Sequence, residues 1–326
     1  MIRANPAEPR VIEFRFVSSD GVPIVCRHWE GRVRPHAIVQ IAHGMGEHMG
    51  RYSSTIKALT SAGFAVYSND HRGHGLTARS REYLGDFGEG GFELLVADVW
   101  RLSEIAKKEN PELPLFLLGH SMGSFAAQQY ILNHSKDIDG LILSGSGVLE
   151  GLVQAVAAAW AQGFNPLNDG LKPTRTPFCW LSRDEQVGEA FMADPLCFAQ
   201  LKPRSLASLR QAADKLADPA ALCRIRSDLP VYLFWGSEDP VEQKFEGVKI
   251  LMDRYRKVGL RDVSHVVYEG GRHEMLNEIN AGEVRARLLC WIFSVLGRAA
   301  SDISSFTQTA GSGLGKPEKR LAVTIL

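Results

Sequence analysis

The sequence predicts an α/β fold: a mostly parallel central sheet flanked by helices, with an inserted helical cap. Three observations carry that expectation. Short apolar runs alternate with helical stretches from about residue 37 to 144, and again from about 230 onward, the rhythm of a parallel sheet covered on both faces. One of these runs, Leu115-Phe116-Leu117-Leu118, ends in Gly119-His120-Ser121-Met122-Gly123 and passes directly into helix-forming Phe125-Ala126-Ala127-Gln128-Gln129-Tyr130. Between 147 and 227 the rhythm breaks, leaving helical and irregular patterns without a convincing strand.

Taken in order, residues 11–17 and 24–29 flank Ser18-Ser19-Asp20-Gly21 and predict an antiparallel hairpin. Residues 37–42 form a buried strand, followed by a glycine-rich turn and a helix from about 51 to 61, closed by Gly63. Residues 64–68 are the next strand, and a helix over about 92–108 leads through Pro111-Glu112-Leu113-Pro114 into the 115–118 strand. A strand over 138–144 follows the next helix; strands over 230–235 and 263–268 resume the alternation after the break. The expected organisation is a core over 1–146 and 228–298, a cap over 147–227, and a flexible polar tail over 299–326 whose last six residues turn apolar. A cap inserted at that point lies over the carboxyl edge of the strands, where open α/β sheets bind ligands.

Bulk composition narrows the function classes. Lys+Arg and Asp+Glu both number 37, so no net field draws the protein to nucleic acid. Five scattered cysteines, without a C-x-x-C pair, fit a reducing compartment better than a disulfide framework or a zinc site. The opening MIRANPAEPRVIEF lacks the basic-then-apolar plan of a signal peptide, and no uninterrupted apolar stretch is long enough to span a bilayer. The expectation is a cytoplasmic protein without cofactor.

The G-x-S-x-G stretch, placed between a strand and a helix, has the form of a nucleophile elbow around Ser121. A serine hydroxyl needs a base, and the base an orienting acid, in the chain order serine, acid, histidine. Three histidines lie downstream. His134 falls in the helix after the elbow, with no strand between for the acid, and His265 opens an apolar run. His273 stands in the loop Glu269-Gly270-Gly271-Arg272-His273-Glu274, past a strand end, and is the preferred base. The acid belongs at the end of the preceding strand, where Asp239 follows the tight turn that Gly236-Ser237 permits; Glu238 reads as a solvated loop charge. An oxyanion hole needs two backbone N–H donors. Met122 supplies one at the start of the elbow helix. The second comes from the loop His43-Gly44-Met45-Gly46-Glu47-His48, whose glycines let the backbone approach a substrate.

Other dense motifs read as structural. The glycine-rich loop lacks the endings of phosphate- or dinucleotide-binding loops. His43 supports that loop, and no carboxylate or cysteine partner is placed to complete a metal site with His43 and His48. In Asp70-His71-Arg72-Gly73-His74-Gly75 the expectation is that Asp70 pairs with Arg72 and pins the loop.

Together HGMGEHMGRY (43–52), NDHRGHG (69–75), GHSMGS (119–124), SRD with ADPLC (182–197) and GSEDP with EGGRHEMLNE (236–278) resemble the monoacylglycerol lipase and lysophospholipase branch of the α/β-hydrolase superfamily, over about 11–298. The resemblance implies an α/β-hydrolase core, a helical cap and hydrolysis of carboxylic esters of lipid-like alcohols. It makes Ser121, Asp239 and His273 the triad, and Met45 and Met122 the oxyanion donors. The partner expected is a small lipid-like ester, with transient membrane-surface contact through the cap. The cap's Leu152-Val153-Gln154-Ala155-Val156-Ala157-Ala158-Ala159-Trp160 stretch and Phe178, Trp180, Leu181, Phe191, Met192 and Phe198 are apolar enough to line an acyl tunnel as well as to form the cap's own core. Peptidases and thioesterases share the fold, as do receptors that have lost a triad member. All three triad positions are filled here.

Overall fold

Eight strands form one sheet in the order β1-β2-β4-β3-β5-β6-β7-β8. They are β1 (Arg10–Val17), β2 (Pro23–Glu30), β3 (Ala37–Ala42), β4 (Phe64–Asn69), β5 (Leu115–His120), β6 (Gly140–Ser144), β7 (Val231–Gly236) and β8 (Val263–Tyr268). The computed structural model describes residues 9–153, 156, 158, 166–171, 175–242 and 246–297. The expected tail over 299–326, and much of the apolar 152–160 stretch, lie outside the described residues.

The antiparallel β1–β2 hairpin pairs in register Val11 to Trp29 and Phe16 to Ile24, and β2 also runs antiparallel to β4. All later pairings are parallel. Strands β3, β5, β6 and β7 are buried along their whole lengths, which is why they read as unbroken apolar runs and not as alternating ones. Their alternate side chains feed two cores. Ile38, Leu115 and Leu117 pack with helices α2 (Gly91–Glu109) and α3 (Met122–His134); Val39, Phe116 and Leu118 pack with α1 (Ser53–Ser61) and α8 (Ala281–Val295).

Between β6 and β7 the described residues hold α4 (Glu185–Ala193), α5 (Pro203–Ala217) and the short α6 (Pro219–Leu222), and no strand; α7 (Glu246–Lys257) follows β7. The helix expected from 51 begins instead with a 3-10 turn, Met49–Tyr52, because the His48 ring accepts from the Gly50 amide and starts the chain turning early. The chain steps from β3 to β4 on one side, then returns to lay β5 on the other side of β3. The loops after β3 and β5 therefore flank the topological switch point, the crevice where such sheets bind ligands.

One expectation fails. Arg72 does not pair with Asp70. Its guanidinium is held by Asp98 and Asp20, each at 2.8 Å, and by the Phe87 carbonyl. Asp70 instead accepts from the Met49 amide at 3.0 Å and the Leu76 amide at 2.8 Å. Two residues apart at a strand end, the side chains point to different walls of the loop, and each found partners from distant segments.

Candidate active site

Ser121 joins β5 to α3 with φ 53° and ψ −122°, a left-handed backbone that a non-glycine residue adopts at a cost on the order of 1–3 kcal/mol. The flanking glycines show why the turn closes. A side chain at Gly119 would meet the Gly123 carbonyl oxygen at 2.4 Å, and one at Gly123 would meet the Ala42 carbonyl oxygen at 2.1 Å. The surrounding hydrogen bonds hold the strain in place: the Ser121 amide donates to Ser144 O at 2.9 Å, and its carbonyl accepts from Ser124 Oγ.

His273 Nδ1 lies 2.9 Å and 3.0 Å from the two carboxylate oxygens of Asp239. Asp239 is aimed by its own turn, with Oδ1 also accepting from the Val241 amide at 2.9 Å. Since Asp239 accepts at Nδ1, the neutral ring carries its proton there and leaves the Nε2 lone pair free; Nε2 is buried without a hydrogen-bond partner. Burial disfavours the charged ring, but the Asp239 charge and hydrogen bond outweigh it and raise the His273 pKa above its usual value. The Trp180 ring stands 4.8 Å from the His273 ring, and the Trp180 carbonyl accepts from the His273 amide at 3.3 Å. Gly145, at φ 54°, lets the strand end pass under the imidazole, since a side chain there would come within 2.8 Å of His273 Cε1.

The loop after β3 carries Met45 between Gly44 and Gly46. Neither the Met45 nor the Met122 amide donates to a protein acceptor among the described residues. Glu47 shapes this loop from behind: Oε1 accepts from the Gly44 amide at 2.6 Å and from the Tyr52 hydroxyl at 2.6 Å. Arg51 bridges Glu47, at 2.8 Å, to Glu274, at 2.5 and 2.9 Å. Burial opposes the Glu47 charge, yet Arg51 holds its carboxyl below the usual carboxylate range. This buried ion network ties the Met45 loop to the residue after His273. Sequence reading passed over it, although Glu47 and Arg51 sit at i, i+4.

A cavity of about 70 Å³ is lined by Ser121 and by residues of the segment between β6 and β7. Its walls include Met45, Met122, Leu152, Trp180 and Leu209, and Ser121 is the one hydroxyl among them. Ser121 and Trp180 thus both line the cavity, and the His273 ring lies against the Trp180 ring.

A family model described as serine aminopeptidase, S33 matches residues 33–280. A monoacylglycerol lipase of Mycolicibacterium smegmatis is 33% identical, the match spanning 87% of this chain and 98% of that protein. The human monoglyceride lipase is 30% identical over 81% of this chain and 84% of its own length. The chain belongs to the monoacylglycerol lipase-like branch of the α/β-hydrolases. Among solved structures, a carboxyl esterase from Bacillus coagulans superposes with a TM-score of 0.78 at 29% identity, covering 87% of this chain and 98% of that one. This α/β-hydrolase is a carboxylic ester hydrolase.

The remaining candidates fall away from the cavity. His265 is exposed and stacks on Trp235; His134 pairs with Asp137 on the surface; Glu238 is exposed. His43 supports its loop as expected: Nε2 accepts from the His71 amide at 2.9 Å, which puts the proton on Nδ1, 2.8 Å from Gly44 O. The metal reading of His48 needs correction. Asp194 stands 2.9 Å from its Nε2, with Cys197 close by, both brought from the cap.

Proposed function

We propose that this hydrolase cleaves single-chain lipid esters, monoacylglycerols foremost, through an acyl-enzyme on Ser121. In this reading His273 Nε2 takes the Ser121 proton as Oγ attacks the ester carbonyl. Asp239 keeps Nδ1–H oriented and stabilises the imidazolium, while the Met45 and Met122 amides donate to the developing oxyanion. His273 then gives the proton to the departing alcohol, activates a water against the acyl-enzyme, and returns a proton to Ser121 as the fatty acid leaves. The Ser121–His273 hydrogen bond is not formed here, and such bonds often close only with substrate.

The observation that carries the substrate reading is the cavity: a single hydroxyl, that of Ser121, in an otherwise apolar and aromatic lining. An acyl chain gains about 0.8 kcal/mol per buried methylene, whereas an aminoacyl substrate would bring an ammonium to a lining without a carboxylate among the described residues. We assign 147–227 to the cap, 1–146 and 228–298 to the core, and 299–326 to a C-terminal extension. The exposed Met192 on cap helix α4 supports transient contact with a lipid surface, and five unpaired thiols support a cytoplasmic setting. The test is kcat/KM across monoacylglycerols of increasing chain length, beside aminoacyl anilides. It should climb roughly fourfold per methylene until the cavity is filled, then level or fall. A steady decline from acetyl upward, or faster turnover of the anilides, overturns the reading.

A further inference from the structure

His48, Asp194 and Cys197 take no part in the ester chemistry, yet they meet at the seam between the Met45 loop and the cap. Their ligand atoms lie within 4.8 Å of one another, and all three residues are half-buried. Each is positioned by its own backbone. Asp194 caps α4 and turns one oxygen to the Leu196 amide at 2.9 Å, leaving the other 2.9 Å from His48 Nε2. The Cys197 amide donates to the Asp194 carbonyl at 3.1 Å, which sets the thiol one turn from the carboxylate. The next residue, Phe198, donates its amide to Gly46 O at 2.9 Å, so the seam is stitched right beside the cluster.

The donor set favours a cation. Asp194 brings a carboxylate into the cluster beside the His48 ring and the Cys197 thiol. Nitrogen, oxygen and sulfur donors together suit a borderline-soft divalent ion. We propose that His48, Asp194 and Cys197 bind a thiophilic divalent cation, zinc by preference, which clasps the cap to the loop carrying Met45. Three protein ligands leave a fourth position for water.

The proton balance is explicit. The Cys197 thiol releases its proton to solvent as the thiolate binds. His48 Nδ1 now accepts from the Gly50 amide at 3.2 Å, so its ring proton sits on Nε2; on binding, that proton moves to Nδ1 and the long bond to Gly50 is lost. One proton leaves per ion bound.

Cobalt(II) is the probe. Titrated into the whole chain, it should give a near-ultraviolet thiolate-to-cobalt charge-transfer band saturating at one equivalent. About one proton should be released per ion, and zinc should abolish the band. Cys197→Ser should lose the band and weaken zinc binding by at least roughly tenfold, because a soft thiolate is replaced by a hydroxyl. Zinc should also raise the melting temperature of the wild type but not of His48→Gln, a readout that stands if Cys197→Ser folds poorly. No band in the wild type, an equal band in Cys197→Ser, or an equal zinc shift in His48→Gln overturns the proposal. None of these readouts depends on which ester is cleaved.

Discussion

Two histidine-bearing loops stand at the same edge of the sheet, one after β8 and one after β4, and similar residues behave oppositely in them. In the first, His273 shares both oxygens of Asp239, its pKa is raised, and it lies against Trp180, which walls the cavity at Ser121. In the second, His71 and His74 are fully buried beside His43, with centroids 4.1 and 5.2 Å from it. Burial presses both below the usual histidine range, His74 to about 3. The acids near that loop are already committed: its own Asp70 to backbone amides, and Asp98 of α2 and Asp20 of the β1–β2 turn to Arg72. A histidine next to an acid in sequence becomes a base only if the acid reaches its ring and the ring reaches a substrate. The loop after β8 meets the first condition and sets the ring against Trp180, a wall of the cavity. The loop after β4 meets neither.

The largest effects that sharpen this contrast belong to the first loop. Ser121→Ala and His273→Ala should each lower kcat by a factor on the order of 10⁴ or more, and Asp239→Asn by about 10³ to 10⁴. A fluorophosphonate adduct should map to the Ser121 peptide; labelling of a different serine would sink the assignment. His71→Asn should instead leave kcat/KM of the folded enzyme nearly unchanged while lowering stability by roughly 0.5–3 kcal/mol. Lost activity without lost stability in that variant would erase the distinction between the loops.

Next in size is the ion pair under the second loop. Arg72 and Asp98 are almost fully buried, so Arg72→Met leaves two carboxylates without their cation. Chemical denaturation should show a loss of about 3–5 kcal/mol. A change below about 1 kcal/mol would mean that water compensates the carboxylates.

The smallest effect is a separation of two acid limbs. For His273 as the proposed neutral base, the raised pKa predicts that kcat/KM falls with decreasing pH around a midpoint above 6.5. His71 and His74 are depressed in the fold, so the unfolded chain binds more protons below about 6.5. Their contribution to stability is therefore complete above that pH and declines as pH falls, for His74 down toward about 3. Melting temperatures and kcat/KM measured over one pH series should part accordingly. A single shared midpoint would show that lost activity is lost fold.

Local pattern alone determined much of this protein. The strands, the glycine-flanked Ser121, and loops that carry Asp239 and His273 past consecutive strand ends were legible because period, turn residues and strand order are short-range properties. The tertiary structure decided partners. Arg51 meets Glu274 from 223 positions away, His48 meets Asp194 from 146 away, and Arg72 passes over its neighbour Asp70 for Asp20 and Asp98. A buried charge takes whichever opposite charge the packing brings within hydrogen-bond reach, and that proximity exists only once the sheet has closed and the cap has docked.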